Sequence, residues 1–229
     1  MKKQYEVLLI DLDNTLFDFE HSERSALKST AKHFGIDMDY EYFEKIYHEV
    51  NKPLWQALER GEMDSETIKT ERFVQLIKRL NLDFDAIEMS IYYIKRLGEG
   101  IELFPHAEEV CLALKQGYKL VALTNGIKAV QESRMHLSGL IRYFDALIIS
   151  EEVGFSKPHP NIFEYALDKI GHTEKQSVLM IGDSMKADIL GAHHVGIDTC
   201  WVNLKEEMSP EDPVFRFEVK KLKELLNFL

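Results

Sequence analysis

Five short apolar segments constrain the fold of this chain most. Polar or glycine residues flank each segment, so each is a separate short element. The segments are Val7–Leu12, Leu120–Thr124, Ala146–Ser150, Val178–Ile181 and Thr199–Val202. Short runs that combine β-branched residues with Leu or Ile are typical of parallel strands covered on both faces. The sequence therefore predicts five buried strands in one sheet.

Helical segments lie between the later strands. Apolar residues recur at helical spacing in Ala107–Lys115, Pro160–Ile170 and Ala187–His194. Strands that alternate with helices in this way form βαβ units with a parallel sheet. We expect an α/β fold with a doubly wound, Rossmann-like core.

The region that follows the first strand differs from the rest. It contains no convincing strand, and its apolar residues, such as Leu27, Ala31 and Phe34, follow helical spacing. This pattern predicts a helical cap domain at residues 17–98, inserted into a core made of residues 1–16 and 99–229. An insertion at this point lies over the carboxyl ends of the strands, where open α/β sheets bind ligands.

Composition excludes several classes of function. The 229 residues carry a formal net charge of −11, which argues against binding to polymeric nucleic acid or to an anionic membrane. A small anionic substrate stays compatible, because a metal and a few basic residues invert the local field. We find no signal peptide and no apolar segment of the ~18 residues that a membrane span needs, so we expect a cytoplasmic protein. Cys111 and Cys200 are expected to be buried thiols.

The first strand ends in two acids, within Asp11-Leu12-Asp13-Asn14-Thr15. A calcium loop that begins in this way has Gly at its sixth position and Glu at its twelfth. Leu16 and Ser22 occupy those positions here, so a calcium loop is excluded. An ordinary turn rich in Asp and Asn is the remaining alternative to a functional acid pair.

Polar motifs also follow three later strands, as Thr124-Asn125-Gly126, Ser156-Lys157-Pro158 and Gly182-Asp183-Ser184. Taken singly, each fits an ordinary turn, a solvated lysine or a helix N-cap. Parallel strands joined by helices bring these ends to one edge of the sheet. Asp11, Asp13 and Asp183 then converge, and carboxylates in one pocket repel one another unless a cation joins them. Oxygen ligands beside a phosphate site point to Mg²⁺.

Together the four motifs resemble those of the haloacid dehalogenase superfamily, whose members are mostly phosphatases. They stand here as Asp11–Thr15, Thr124–Asn125, Lys157–Pro158 and Gly182–Asp188. The helical insertion resembles the C1-type cap of that family. The resemblance implies a strand order of 3-2-1-4-5 and a Mg²⁺-dependent phosphohydrolase.

The resemblance also implies roles for individual residues. Asp11 would attack phosphorus and become an aspartyl phosphate, and Asp13 would act as general acid and then as general base. Lys157 would neutralise charge on the nucleophile and on the phosphoryl group. The dehalogenases lack an acid at the position of Asp13, so its presence favours an oxygen leaving group.

The remaining implied roles concern binding. Thr124 and the Asn125 backbone, together with Lys157, would hold phosphate oxygens. Asp11, Asp183 and the Asp13 backbone carbonyl would bind the metal. Ser184 and Asp188 would support these groups from one step behind the ligands.

Within the superfamily, Asp11–Asp18 and Leu54–Gly61 resemble segments of bacterial pyrimidine 5′-nucleotidases. A nucleoside 5′-monophosphate is therefore the expected substrate. In the cap, Trp55 would stack a base or pack between helices. Lys52 and Arg72 are further candidates for substrate contact, although most cap charges are expected to be solvated.

Three other readings stay open. A sugar-phosphate or phosphoglycolate-type phosphatase would use the same residues, and so would a phosphomutase that shields its intermediate from water. A non-catalytic binding protein on this fold is the alternative from another class. The intact set of Asp11, Asp13, Lys157 and Asp183 argues against the last of these. The chain is expected to act as a monomer or a homodimer.

Overall fold

A computed structural model describes residues 5–209, 211 and 213–229 of the chain. Residues 1–4 of the predicted core, and residues 210 and 212 of its tail, lie outside the described part. Six parallel strands form one sheet in the order β3-β2-β1-β4-β5-β6. The strands are β1 (Val7–Ile10), β2 (Lys119–Thr124), β3 (Ala146–Ile149), β4 (Val178–Gly182), β5 (Asp198–Val202) and β6 (Phe217–Val219).

The five predicted strands and their order are confirmed, and β6 is an addition at the edge of the sheet. The sequence analysis missed β6 because its three residues, with a glutamate in the middle, carry no apolar run. β6 pairs with β5 through the register Trp201↔Glu218.

Nine α-helices are described. They are α1 (Phe19–His33), α2 (Tyr40–Glu59), α3 (Ser65–Leu80), α4 (Ala86–Gly98), α5 (Ala107–Leu114), α6 (Lys128–Leu137), α7 (Ser150–Val153), α8 (Pro160–Lys169) and α9 (Gly191–His194). Shorter turns of 3₁₀-helix span Leu140–Tyr143, Lys175–Ser177 and Leu222–Asn227.

The prediction of a single helix over Ala187–His194 is wrong in form. Met185–Leu190 is a π-helical turn, and α9 begins only after it. The Ser184 carbonyl accepts from the amides of both Asp188 and Ile189, while the Asp188 carboxylate accepts from the Ser184 amide at 3.0 Å. Side-chain bonds of this kind compete with the regular helical ladder.

Aspartates begin each of the four helices that follow β1. The carboxylates of Asp18, Asp39, Asp64 and Asp85 each accept a backbone N–H from the first turn of α1, α2, α3 and α4. Such N-caps satisfy amides that have no partner within the helix. The position at which each of these helices begins therefore depends on a residue of the local sequence.

Alternate residues of the strands serve the two faces of the sheet. Leu8 and Ile10 point into a core cluster shared with α5 and the C-terminal tail, where Leu222 and Leu225 are buried. Val7 and Leu9 point into a second cluster shared with α8 and α9. The C-terminal tail packs on this core as a 3₁₀ turn.

The helices α1–α4 share an apolar cluster of their own. Phe43, Phe73 and Tyr93 are fully buried in it, and Val130 of α6 joins them from the region that follows β2. This arrangement is the one expected of a helical insertion. The boundaries of the predicted cap domain stay a prediction.

Two further observations concern expectations from composition. Cys111 and Cys200 are both free and buried, as predicted. Among the described residues, no helix has the length and apolar character that a membrane crossing requires.

The core clusters predict a stability difference between two identical substitutions. Leu8 is fully buried in β1, whereas Leu112 of α5 is 51% exposed. Leu8→Ala removes buried methyl groups and leaves a cavity, so we expect a loss of about 2–5 kcal/mol in the free energy of unfolding. Leu112→Ala is expected to change it by less than about 0.5 kcal/mol. Denaturant unfolding of both variants measures this, and equal losses would contradict the assigned core.

Candidate active site

A buried lysine lies at the centre of the site. Lys157 is 2% exposed, and its Nζ lies 2.5 Å from Asp11 Oδ1 and 2.7 Å from Asp188 Oδ1. It also donates to the Leu123 carbonyl at 2.8 Å. Burial alone would lower the pKa of Lys157, but the two carboxylates outweigh it and raise that pKa above its usual value. The lysine is therefore held as a cation.

Three carboxylates lie around this lysine. Atoms of Asp11, Asp183 and Asp188 lie within 4.8 Å of one another. Thr15 connects two of them, because its hydroxyl donates to Asp11 at 3.0 Å and accepts from the Asp183 amide at 3.1 Å. The sequence predicts that Asp188 supports the ligands without binding the metal, and its carboxylate lies in this cluster.

Burial and mutual repulsion disfavour ionisation of Asp11 and Asp183. Burial, supported by the charges of Asp188 and Asp13, raises the pKa of Asp11 to about 7 against the opposing effect of Lys157. Burial and the neighbouring acids also raise the pKa of Asp183 well above its usual value. A divalent cation would relieve both effects, and hard oxygen ligands in this number suit such an ion. The donor set therefore fits a metal.

Sheet register brings the motifs together. Ile10 of the central strand pairs with Ala122 of β2 on one side and with Ile181 of β4 on the other. Asp11, Thr124 and Asp183 consequently lie at one carboxyl edge. The predicted convergence of the strand ends is observed.

Asn125 joins the second motif to the third. Its amide nitrogen donates to the Lys157 carbonyl at 2.8 Å, and its amide oxygen accepts from the Lys157 N–H at 2.8 Å. This reciprocal pair fixes the lysine segment against the end of β2. The Asn125 side chain is thus engaged with the Lys157 backbone, and the role of the Asn125 backbone in binding phosphate stays a prediction. The Thr124 hydroxyl accepts from the Gly126 amide at 3.0 Å.

Asp13 is held from α6. Gln131 Nε2 donates to Asp13 Oδ2 at 2.5 Å, and the Arg134 guanidinium forms an ion pair with Oδ1. Arg134 is fully buried, stacks on the Phe17 ring and donates from Nε to the Gly100 carbonyl at 2.8 Å. Both oxygens of Asp13 are thus engaged by side chains of α6.

Sequence reasoning missed these supporting residues. Gln131 and Arg134 lie three apart on one face of α6, a helix that was not assigned. Its position directly after the Thr124–Gly126 motif was the available signal. The Gln131 side chain lies so close to Gly126 that a Cβ on Gly126 would be 2.0 Å from Gln131 Nε2. Trp201, whose indole donates to the Asp183 carbonyl at 2.9 Å, was also missed, although it lies near the end of β5.

Of the three predicted cap residues, two lie together at one cavity, whereas Arg72 lies elsewhere in the helical insertion. Lys52 is exposed and Trp55 is half-buried, and both line a cavity of about 540 Å³ beside Lys186 of the core. Trp55 also packs against the apolar clusters of the helical insertion. Most cap charges are expected to be solvated, and Arg72 is an exception, since it is 1% exposed. Its guanidinium stacks on the Tyr93 ring at 4.8 Å, inside the insertion.

Comparison with a solved structure supports this fold along the whole chain. The magnesium-bound HAD-hydrolase YfnB from Bacillus subtilis superposes with a TM-score of 0.91 at 33% identity, and the match covers 99% of both chains. An L-2-haloacid dehalogenase from Xanthobacter autotrophicus shares the fold, with a TM-score of 0.75 at 20% identity over 98% of both chains. A doubly wound α/β hydrolase is the class that this fold and these motifs define.

Sequence comparison identifies the family. The pyrimidine 5′-nucleotidase YjjG of Escherichia coli is 34% identical over 99% of this chain and 98% of its own length. Residues 5–196 match the model of the haloacid dehalogenase-like hydrolases. The chain belongs to that family.

The raised pKa of Asp11 predicts how stability depends on pH and Mg²⁺. Between the ordinary value of 3.8 and about 7, the folded state retains a proton that the unfolded state releases, so the contribution of Asp11 to stability is lost as pH rises through this window. Mg²⁺ needs the ionised carboxylate, so we expect it to raise the melting temperature more at pH 8 than at pH 5.5. Thermal melts with and without Mg²⁺ measure this. Asp11→Asn should weaken the pH dependence, whereas the exposed Asp83→Asn should keep it.

The burial of Arg134 predicts a structural cost. Arg134→Met leaves the Asp13 carboxylate without its cationic partner, and we expect a loss of about 3–5 kcal/mol in the free energy of unfolding. Arg142→Met, which removes an exposed arginine that pairs with Glu108, should leave the protein near wild-type stability. Chemical denaturation compares the two. Equal stability of both variants would show that Arg134 contributes nothing to the fold.

Proposed function

We propose that this hydrolase is a Mg²⁺-dependent 5′-nucleotidase, which releases phosphate from nucleoside 5′-monophosphates through a phospho-aspartate on Asp11. One observation carries the proposal: a buried Lys157 holds Asp11 beside two further carboxylates at the edge of the sheet. The pyrimidine 5′-nucleotidases YjjG and PynA, the latter from Streptococcus pneumoniae, match nearly the full chain at 34% and 33% identity. These matches support a nucleotide as substrate.

In the first step, a carboxylate oxygen of Asp11 attacks phosphorus, and the bond from phosphorus to the ester oxygen breaks. Asp13 gives its proton to the departing nucleoside oxygen. Lys157 reduces the repulsion between the carboxylate and the anionic phosphoryl group. The Thr124 hydroxyl and the Asn125 backbone hold the phosphoryl oxygens.

In the second step, water attacks phosphorus of the aspartyl phosphate, and Asp13, now ionised, takes the proton of that water. The bond between Asp11 and phosphorus breaks, which restores the carboxylate and releases phosphate. Both steps require Asp13 to leave Gln131 and Arg134, because these residues engage both of its oxygens. Side-chain rotation of Asp13 is thus part of the proposed cycle.

Asp11, Asp183, the Asp13 carbonyl and the nearby Asp188 carboxylate are the groups that would hold Mg²⁺. A bound Mg²⁺ supplies charge neutralisation at the phosphoryl oxygens. Ser184 supports Asp188, since its hydroxyl accepts from the Ala187 amide at 3.1 Å at the start of the π-helical turn. This contact is the basis for the supporting role that we propose for Ser184.

We also propose that residues 17–98 form a cap that closes over the site. Two ion pairs join these helices to the core, Lys69 to Glu151 of α7 and Glu59 to Lys186 of the π-helical turn, each at 2.8 Å. Contacts between long, partly exposed side chains break at small cost. Closure would exclude bulk water during the first step.

The test is phosphate release from a panel of pyrimidine and purine nucleotides, sugar phosphates and phosphoglycolate. We expect nucleotides to show the highest kcat/KM, with activity lost in chelator and in Asp11→Asn. Asp13→Asn should reduce kcat by about 10²–10⁴-fold, the usual contribution of general acid–base catalysis. Asp83→Asn, an exposed aspartate of the cap, is the matched control and should retain activity.

Other rankings would redirect the assignment. Preference for sugar phosphates or phosphoglycolate would replace the nucleotidase by one of those phosphatases. Transfer of phosphate to a second hydroxyl, without release, would indicate a phosphomutase. A folded, Mg²⁺-loaded protein that is inactive on the whole panel would contradict the proposed function.

A further inference from the structure

Asp183 is held through its backbone from both neighbouring strands. It is the first residue after β4, which lies between β1 and β5 in the sheet. The Asp183 N–H donates to the hydroxyl of Thr15, which follows β1, at 3.1 Å. The Asp183 carbonyl accepts from the indole N–H of Trp201 in β5 at 2.9 Å. Two side chains from separate parts of the chain therefore fix the peptide groups on either side of Asp183.

The side chain of Asp183 has weaker support than those of the other two carboxylates in the cluster. Lys157 forms ion pairs with Asp11 and Asp188 at 2.5 and 2.7 Å. The contact between the Thr15 hydroxyl and Asp183 Oδ1 measures 3.4 Å, which is longer than a good hydrogen bond. The position of the Asp183 carboxylate therefore depends on its backbone more than the positions of the other two do.

Trp201 is a rigid donor. It is 4% exposed, and its indole packs against the Phe215 ring with 5.5 Å between centroids. The register places Trp201 opposite Gly182 of β4 on one side and opposite Glu218 of β6 on the other. Trp201 therefore lies on an interior strand, where movement would disturb two ladders. A buried indole N–H needs a hydrogen-bond partner, and here that partner is the Asp183 carbonyl.

The chain that follows Trp201 is also anchored. The side chain of Asn203, which is 3% exposed, donates to the Glu207 carbonyl at 2.9 Å and accepts from the Glu207 N–H at 2.8 Å. The Asn203 N–H donates to the Val219 carbonyl of β6 at 2.8 Å. These contacts close the loop after β5 on itself and join it to β6. The strand end that presents the indole is thus fixed from its far side as well.

A cavity of about 180 Å³ lies beside the hydrogen bond between Trp201 and Asp183, and both residues line it. A cavity of this volume has room for several water molecules. Without the indole N–H, the Asp183 carbonyl could therefore turn toward water, and its carboxylate would move with it. The free energy of ordering that carboxylate would then be subtracted from the binding of any ligand.

We propose that Trp201 is a positioning residue of the metal site: its indole N–H fixes the Asp183 peptide group, and this sets the affinity of the site for Mg²⁺. Since Asp183 holds Mg²⁺ in the proposed function, the role of Trp201 rests on that proposal. Trp201 acts through Asp183 and contacts no ligand itself. Groups that orient metal ligands contribute about 10–100-fold to metal affinity.

Calorimetric titration of Mg²⁺ into the folded protein tests this role. Trp201→Phe keeps an aromatic ring and removes the indole N–H, so we expect the Kd for Mg²⁺ to rise by about 10–100-fold. An unchanged Kd in this variant would overturn the proposal.

Tyr118→Phe is the matched control for the loss of a side-chain hydrogen bond. It removes a hydroxyl that donates to the Leu229 backbone oxygen at 2.7 Å. Tyr118 directly precedes Lys119, which pairs with Val7 at the amino edge of the sheet, so this bond lies at the edge opposite the carboxylates. Tyr118→Phe should leave the Kd for Mg²⁺ unchanged.

A second variant separates the hydrogen bond from the packing of the ring. Site-specific replacement of Trp201 by its benzothienyl isostere, in which sulfur takes the place of the N–H, keeps the size of the ring system. We expect the same rise in Kd as in Trp201→Phe, because both variants lack the donor. A wild-type Kd in the isostere would show that the packing of the ring is what matters, and would overturn the proposal.

Enzyme kinetics provide a readout that a purely structural role would not move. In Trp201→Phe, we expect the Mg²⁺ concentration for half-maximal phosphate release to rise by the same factor as the Kd. The value of kcat at saturating Mg²⁺ should stay near that of the wild type. A fall in kcat at saturating Mg²⁺, with an unchanged half-maximal concentration, would overturn the proposal.

Binding and turnover together distinguish this role from the proposed function. If the wild type hydrolyses nucleotides and Trp201→Phe binds Mg²⁺ equally well, the role of Trp201 alone is contradicted. If the wild type binds Mg²⁺ more tightly than Trp201→Phe but releases phosphate from no substrate, the nucleotidase alone is contradicted. A folded wild type that binds no Mg²⁺ contradicts both.

Discussion

The ion pairs of Lys157 with Asp11 and Asp188 are the interaction on which the rest of the site depends. Three charged groups at this buried edge would each cost several kcal/mol to desolvate alone, and the short distances of 2.5 and 2.7 Å offset that cost. Asn125 fixes the lysine segment, and the π-helical turn that includes Asp188 begins at Ser184. Removal of the lysine would leave two buried carboxylates in mutual repulsion. In the proposed function, a bound metal and the lysine would act as complementary cations around Asp11.

Helix α6 lies at the junction between the helices α1–α4 and the candidate active site. Arg134 contacts Asp13 on one side and the Gly100 carbonyl, just beyond α4, on the other. A cap movement that shifts this segment therefore acts on the proposed proton donor.

Much of the fold could be predicted, and so could the set of Asp11, Asp13, Lys157 and Asp183, because both depend on patterns of neighbouring residues in the sequence. Apolar runs predict buried strands, and Asp18 and Asp64 are N-cap residues at which helices begin. The misses share a cause. β6 and α6 carry weak local signals, and Arg72 has the sequence context of a surface charge. Its burial follows from packing against Tyr93, a residue distant in sequence, which no local pattern reveals.

The sequence by itself determined the layered α/β architecture, the order of the motifs and the residue types able to attack, protonate and neutralise. Periodicity and capping act over a few residues, so they can be read without a structure. Tertiary structure decided which oxygens share a cluster, that Gln131 and Arg134 engage Asp13, and that Arg72 is buried against Tyr93. Those facts depend on register and on contacts between distant segments. Burial then sets their energy, because the cost of a charge depends on the groups that surround it.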